Sequence, residues 1–188
     1  MGKFGNFLAT IGDRDDWFVS VRNDGSINRI ENRYGILSRR ILKIPDHGSF
    51  FNPRQYDRAG LERDNWTWLG LCISNDLFSA NFNKDLDTAS FNDAICKFIN
   101  SYLDNNLNSG IVFFPHAQQD LTTLGVLIGK LKDKHRREKI AVAPFYSASE
   151  RTAEYIFDMY RACVCIIGMR FHSNLCAIGM GIPSLGLA

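Results

Sequence analysis

Val164-Cys165-Ile166-Ile167-Gly168-Met169-Arg170-Phe171-His172-Ser173 is the stretch that decides the fold. A short apolar run ends at a glycine and gives way to a polar turn. Such a run predicts a buried parallel strand over Val164–Gly168. Ser173–Met180 is apolar and rich in small residues, which predicts a short helix. Ala177, Gly179 and Gly181 would let that helix lie close to a sheet. Gly181 and Pro183 break it, and Ser184–Ala188 begins a further strand.

The same alternation extends toward the N-terminus. Leu69–Ile73, Gly110–Phe114 and Ile140–Ala143 are short apolar runs that predict three more strands. Phe91, Ala94, Ile95, Phe98, Ile99, Tyr102 and Leu103 follow helical spacing, with Ser90 and Asp93 as the capping signal. Leu121, Leu124, Leu127, Ile128 and Leu131 trace a second helix, whose last turns carry Lys132, Lys134, Arg136 and Arg137. Ala153, Ile156, Phe157 and Tyr160 trace a third, opened by a capping box of Ser147 and Glu150. The predicted order is β-α-β-α-β-α-β-α-β. This is an α/β fold, a Rossmann-like parallel sheet with right-handed crossovers and helices on both faces.

Residues 1–64 differ from residues 65–188. The first part is polar, aromatic and broken by Pro45 and Pro53. It offers strands at Trp17–Val21 and Arg40–Ile44, a polar helix at Ser26–Tyr34, and a long connection from Pro45 to Asn65. The expected division is therefore the end of a preceding domain plus a linker, then a domain from residue 65. The chain stops at the last strand with no closing helix, an unusual place for a domain to end, and the residues do not decide between a fragment and a complete chain.

Composition narrows the function. The chain has 188 residues, 45% of them apolar, within the globular range. Lys and Arg total 22 against 20 Asp and Glu, a net charge of +2, too balanced for an electrostatic nucleic-acid binder. No apolar run reaches the roughly 18 residues needed to span a bilayer. No signal-like stretch opens the chain, and Asn6 stands where a myristoylation signal has Ser or Thr. A cytoplasmic protein with no nucleic-acid partner and no transmembrane segment is expected. Cys72, Cys96, Cys163, Cys165 and Cys176 lie in apolar segments without a C-x-x-C pair, which predicts buried free thiols and no metal site.

Chemistry in an open parallel sheet gathers at the carboxyl ends of the strands. No dinucleotide, P-loop or nucleophile-elbow motif occurs there. The turn Gly168–Ser173 enters a helix N-terminus, where unpaired amides and the dipole favour an anion. Arg170 adds a planar cation, His172 projects to the same side in an extended turn, and Ser173 starts the helix. The plain alternative has Arg170 paired with a local carboxylate, His172 an ordinary loop residue and Ser173 a cap. His116 and Asp120 follow the strand ending at Phe114, as an acid or base with an orienting carboxylate. Asp120 is equally suited to cap the helix starting at Leu121. Asn75 and Asp76 lie at the same edge, where Asn and Asp also form turns. Arg22 ends a strand in the first part and is a further candidate for a ligand anion. His47 and His135 are given no role.

These residues resemble the polysaccharide pyruvyl transferase family. The G-x-R-x-H block at Gly168–His172, the helix containing Ala177, and Gly181-Ile182-Pro183 with the strand after it are similar to that family's C-terminal signature. Phe114-Pro115-His116 with Asp120 resembles a second block, and Ser20-Val21-Arg22-Asn23-Asp24-Gly25-Ser26 a third, with Asn23 in place of an acidic residue. Ala162 and Cys163 depart from the family, which often has Asp just before the fourth strand.

The resemblance implies a GT-B-like architecture, with this chain supplying the donor-binding C-terminal domain. It implies phosphoenolpyruvate as donor substrate, a sugar or glycan acceptor, and a pyruvate ketal with release of phosphate. No cofactor and no metal are needed. On this scheme His172 contacts phosphate and donates a proton, and His116 is an acid or base. Arg170, Arg22, Ser173, Asn75 and Asp120 bind substrate. The alternatives are a GT-B-type enzyme using a nucleotide sugar, as glycosyltransferase or epimerase, and a non-catalytic anion-binding fragment.

Overall fold

The computed structural model describes residues 3–12, 19–22, 26–34, 41–55, 61–75, 87–145 and 152–187. The chain forms two compact units, Met1–Ser49 and Phe50–Ala188.

In the second unit the strands are β3 (Thr67–Cys72), β4 (Ser109–Phe113), β5 (Ile140–Val142), β6 (Cys163–Gly168) and β7 (Ser184–Gly186). They form one sheet in the order β5-β4-β3-β6-β7, with every neighbouring pair parallel. The connecting helices are α3 (Thr88–Asn105), α4 (Gln118–Lys130), α5 (Asp133–Glu138), α6 (Thr152–Met159) and α7 (Phe171–Gly179). The predicted fold class, an α/β parallel sheet flanked by helices, is what the chain adopts.

Strand alternation divides the core. Leu69, Leu71, Ile73, Ile111 and Phe113 point to one face, where they meet Cys96, Ile99 and Leu103 of α3 and Leu124 and Leu127 of α4. Trp68, Cys72, Val112 and Phe114 point to the other, where they meet Ile156, Met159, Tyr160 and Ala177. Burial on both faces explains why β3 and β4 are nearly continuous apolar runs.

Local chemistry sets the boundaries. Asp87 caps α3, accepting from the Ser90 amide at 2.8 Å and the Ser90 hydroxyl at 2.7 Å. The predicted partner Asp93 lies within the helix and pairs instead with Lys130 at 2.6 Å. The second helix does not run into its basic tail. Leu131 and Lys132 are extended, and a separate short helix, α5, follows. Lys132, Lys134 and His135 converge on Asp104, while Arg136 and Arg137 pair with Asp133. Carboxylates therefore offset the basic cluster. Gly181 closes α7 with φ of 73°, the left-handed conformation that glycine tolerates best, and turns the chain into β7. The Ser147–Glu150 capping box and Asp76 lie outside the described residues.

The first unit contains α1 (Lys3–Gly12), β1 (Val19–Arg22), α2 (Ser26–Tyr34) and β2 (Ile41–Ile44). The two strands pair in parallel around α2, a β-α-β unit. α1 has no counterpart among the sequence expectations, because Gly5 and Gly12 interrupt the segment. The second unit begins at Phe50 and not at residue 65. Leu61 is buried beside Trp68, whose indole donates to the Leu61 carbonyl at 2.8 Å, and Arg161 bonds Asn52. Among the described residues no helix is long and apolar enough to cross a membrane.

Candidate functional site

The strand order reverses at β3, since the chain moves outward through β4 and β5 and then returns to β6 on the other side. A crevice at the carboxyl ends follows from that reversal. The ladders continue past the strand ends. The Phe114 amide donates to Leu71 O at 2.8 Å and the Met169 amide to Cys72 O at 2.9 Å. Three βα junctions are thereby brought side by side: Ser74 and Asn75, Pro115 to Asp120, and Met169 to Ser173.

Arg170 reaches across the end of β3 to Asp120. Its Nε donates to Oδ2 at 3.0 Å and its Nη2 to Oδ1 at 2.6 Å. Nη2 also donates to the Ser74 hydroxyl at 3.0 Å. Asp120 Oδ2 further accepts from the amides of His116 at 2.8 Å and Ala117 at 3.0 Å. Asp120 is fully buried, whereas 19% of the Arg170 side chain is exposed. Burial pushes the Asp120 carboxyl up, but hydrogen bonds from Arg170, the His116 amide and Ser74 outweigh it and hold the group below its ordinary range. The fork aimed by the sequence at a ligand anion is thus largely engaged by a carboxylate. That carboxylate is not local but comes from another junction. Asp120 sits within α4, which starts at Gln118 and not at Leu121, and it caps the helix by accepting the two amides that precede it.

His116 is half-buried, and its Nε2 lies 2.7 Å from the Tyr160 hydroxyl. Its ring packs edge-on against Phe157 at 5.2 Å. Burial lowers its pKa to about 4, with Asp120 opposing and Arg170 and His172 adding to the fall. The imidazole is neutral at pH 7. His172 is exposed on the first turn of α7, edge-on to Phe171.

Ser173 is not at the surface. It is fully buried, its hydroxyl donating to the Arg170 carbonyl at 2.6 Å, so it fastens the turn. A Cβ on Gly168 would lie 2.1 Å from that hydroxyl, which explains the glycine. Asn174 completes the bracket. Its amide donates to Gly168 O at 2.8 Å and to Arg170 O at 3.2 Å, and its Oδ1 accepts from Ser184 at 2.7 Å.

Asn75 lines a hollow of about 300 Å³ with Gln119, Thr122, Thr123 and Val126. Its buried Oδ1 has no hydrogen-bond partner among the described residues. Arg22 belongs to the first unit, where it pairs with Asp46 at 2.9 Å. Cys72 closes β3 fully buried, and burial pushes its thiol up to about 12, so it supplies no thiolate.

The structure therefore gathers Arg170, Asp120 and His116. Tyr160, Ser74 and Asn174 join them without having been singled out in the sequence. Tyr160 is part of a helical apolar stripe, and its hydroxyl has no sequence signature. Ser74 and Asn174 are common turn and helix-start residues, and the partner that Ser74 meets, Arg170, lies 96 positions away.

A family model described as polysaccharide pyruvyl transferase matches residues 13–188. The crystal structure of TarM is similar in a match that covers 96% of this chain and 31% of that one, at 7% identity and a TM-score of 0.46. No curated protein matches the chain.

Proposed function

The chain belongs to the polysaccharide pyruvyl transferase family, and on that premise we propose that it moves the pyruvyl group of phosphoenolpyruvate onto two hydroxyls of a sugar. The enol carbon C3 gains a proton and becomes a methyl group. Both sugar oxygens bond to C2, and the bond from C2 to the phosphate oxygen breaks. One hydroxyl proton is balanced by the new methyl hydrogen and the other leaves with phosphate. The product is a pyruvate ketal that gives the glycan a carboxylate.

The observation carrying this reading is the convergence of Arg170, Asp120 and His116 at the carboxyl edge, within a chain matched by the family from residue 13 to 188. The donor is small and densely anionic. Amides and dipole at the start of α7 favour an anion there, and the exposed part of Arg170 adds a cation whose direction Asp120 and Ser74 fix. His172, exposed on the same turn, is assigned the contact to phosphate and the delivery of a proton to C3. His116 is the uncharged imidazole that meets a reacting oxygen. Asn75, whose Oδ1 has no hydrogen-bond partner among the described residues, accepts from a substrate hydroxyl. Arg22 pairs with Asp46 within the first unit and is given no part in this scheme. Pairing with a second Rossmann-like domain, as in GT-B enzymes, and a cytoplasmic location belong to the same proposal.

The test is to incubate the protein with phosphoenolpyruvate and a panel of glycans. Phosphate release, with one pyruvate ketal gained per acceptor by mass spectrometry, is expected. Turnover of nucleotide sugars in its place would overturn the assignment.

A further inference from the structure

Tyr160 is fully buried, yet its hydroxyl lies 2.7 Å from His116 Nε2. A buried phenol needs an acceptor for its proton. Among the described residues, its hydrogen-bond partner is that ring nitrogen. Burial, reinforced by the nearby thiols of Cys72, Cys176 and Cys163, also raises the phenol well above its usual pKa, so it keeps its proton. A nitrogen that accepts a proton-bearing donor must present its lone pair. A neutral imidazole then carries its own proton on the other nitrogen, Nδ1.

Packing holds the arrangement. Phe114 lies edge-on to Tyr160 at 4.5 Å, and Phe157 lies edge-on to Tyr160 at 5.1 Å and to His116 at 5.2 Å. These contacts flank the ring and hold its Nε2 edge toward the phenol. Asp120, Arg170 and His172 are the charged or titratable groups acting on it, one favouring protonation and two opposing it.

We propose that Tyr160 is a positioning residue that locks His116 as its Nδ1–H tautomer, so that His116 offers a substrate oxygen a neutral hydrogen-bond donor and not a base. This rests on reading the carboxyl edge as the pyruvyl transfer site. A neutral donor suits that chemistry. It can hold a carboxylate or phosphate oxygen without giving up its proton, leaving proton delivery to His172.

The ring nitrogens of the four histidines can be observed by 15N NMR on the labelled full chain. Loss of one set in His116→Gln assigns that residue. The expected result at neutral pH is a protonated Nδ1 and an unprotonated Nε2, and a shift of population toward Nε2–H in Tyr160→Phe. A protonated Nε2 in the unsubstituted protein overturns the proposal, as does an unchanged tautomer in Tyr160→Phe. Should that variant fail to fold, the unsubstituted protein decides alone. Kinetics add a second arm. His116→Asn places its amide donor near Nδ1 and His116→Gln near Nε2, so Asn is expected to keep roughly tenfold more kcat/KM than Gln. Equal loss in both contradicts the donor role. Absence of pyruvyl transfer would overturn the transferase reading, while the NMR result still decides the tautomer.

Discussion

Arg170 and Asp120, 50 positions apart in the chain, are joined by two parallel hydrogen bonds of 3.0 and 2.6 Å across the end of the central strand. The pair ties the junction after β4 to the junction after β6, with Ser74 of β3's own junction bound to the same guanidinium. The cation that would meet an anionic donor is thus oriented before any ligand arrives, and the buried carboxylate is compensated.

Breaking that pair should unfold the protein more readily. Arg170→Ala leaves Asp120 buried and uncompensated, with an expected loss of about 3–5 kcal/mol in denaturant unfolding. Arg170→Ala with Asp120→Ala should cost clearly less than the two single losses added together. Simple additivity would show that the two groups are not coupled.

Gly168→Ala should be damaging although it adds a single methyl. The new Cβ would lie 2.1 Å from the Ser173 hydroxyl, which is buried and bonded to the Arg170 carbonyl. An expected loss of roughly 1–3 kcal/mol reflects overpacking. Adding Ser173→Ala removes the clashing oxygen and should recover part of the stability in thermal unfolding. No recovery would place the strain elsewhere.

His116 makes stability depend on pH. Its folded pKa of about 4 lies below its ordinary 6.5. The unfolded chain therefore takes up a proton first as the solution is acidified. The neutral ring's contribution is fully present above the ordinary value and is lost as pH falls toward the folded one. Unfolding free energies from about pH 7 to about pH 5 should fall less steeply in His116→Asn than in the unsubstituted protein. Parallel profiles would mean that this ring is solvated in the folded state.

His172→Ala separates binding from chemistry. The residue is exposed on the first turn of α7, so folding should be little changed. If it delivers the proton to C3, kcat should fall by roughly 100-fold or more, with a much smaller change in donor affinity by calorimetry. Equal effects on both would assign it to binding alone.

The strands around Leu69, Ile111 and Ile166 and the helix over residues 88–105 were legible because periodicity is a local property, written in neighbours along the chain. Boundaries that hinge on one side chain were less so. Asp87 caps where Ser90 and Asp93 were expected, and Leu131–Lys132 divides one predicted helix into two. Arg170, His116 and Asp120 were singled out because motif spacing placed them after strand ends. Their partners could not be, since a hydroxyl such as Tyr160's carries no periodic signal.

Local patterning was enough to specify the alternation of strand and helix and the residues that crowd the carboxyl edge. That Arg170 binds Asp120, that Ser173 faces inward and that Tyr160 meets His116 came from the folded arrangement alone. Strand order is the cause. Hydrogen-bond ladders put β4 and β6 on either side of β3, and that adjacency brings together side chains from distant positions in the chain.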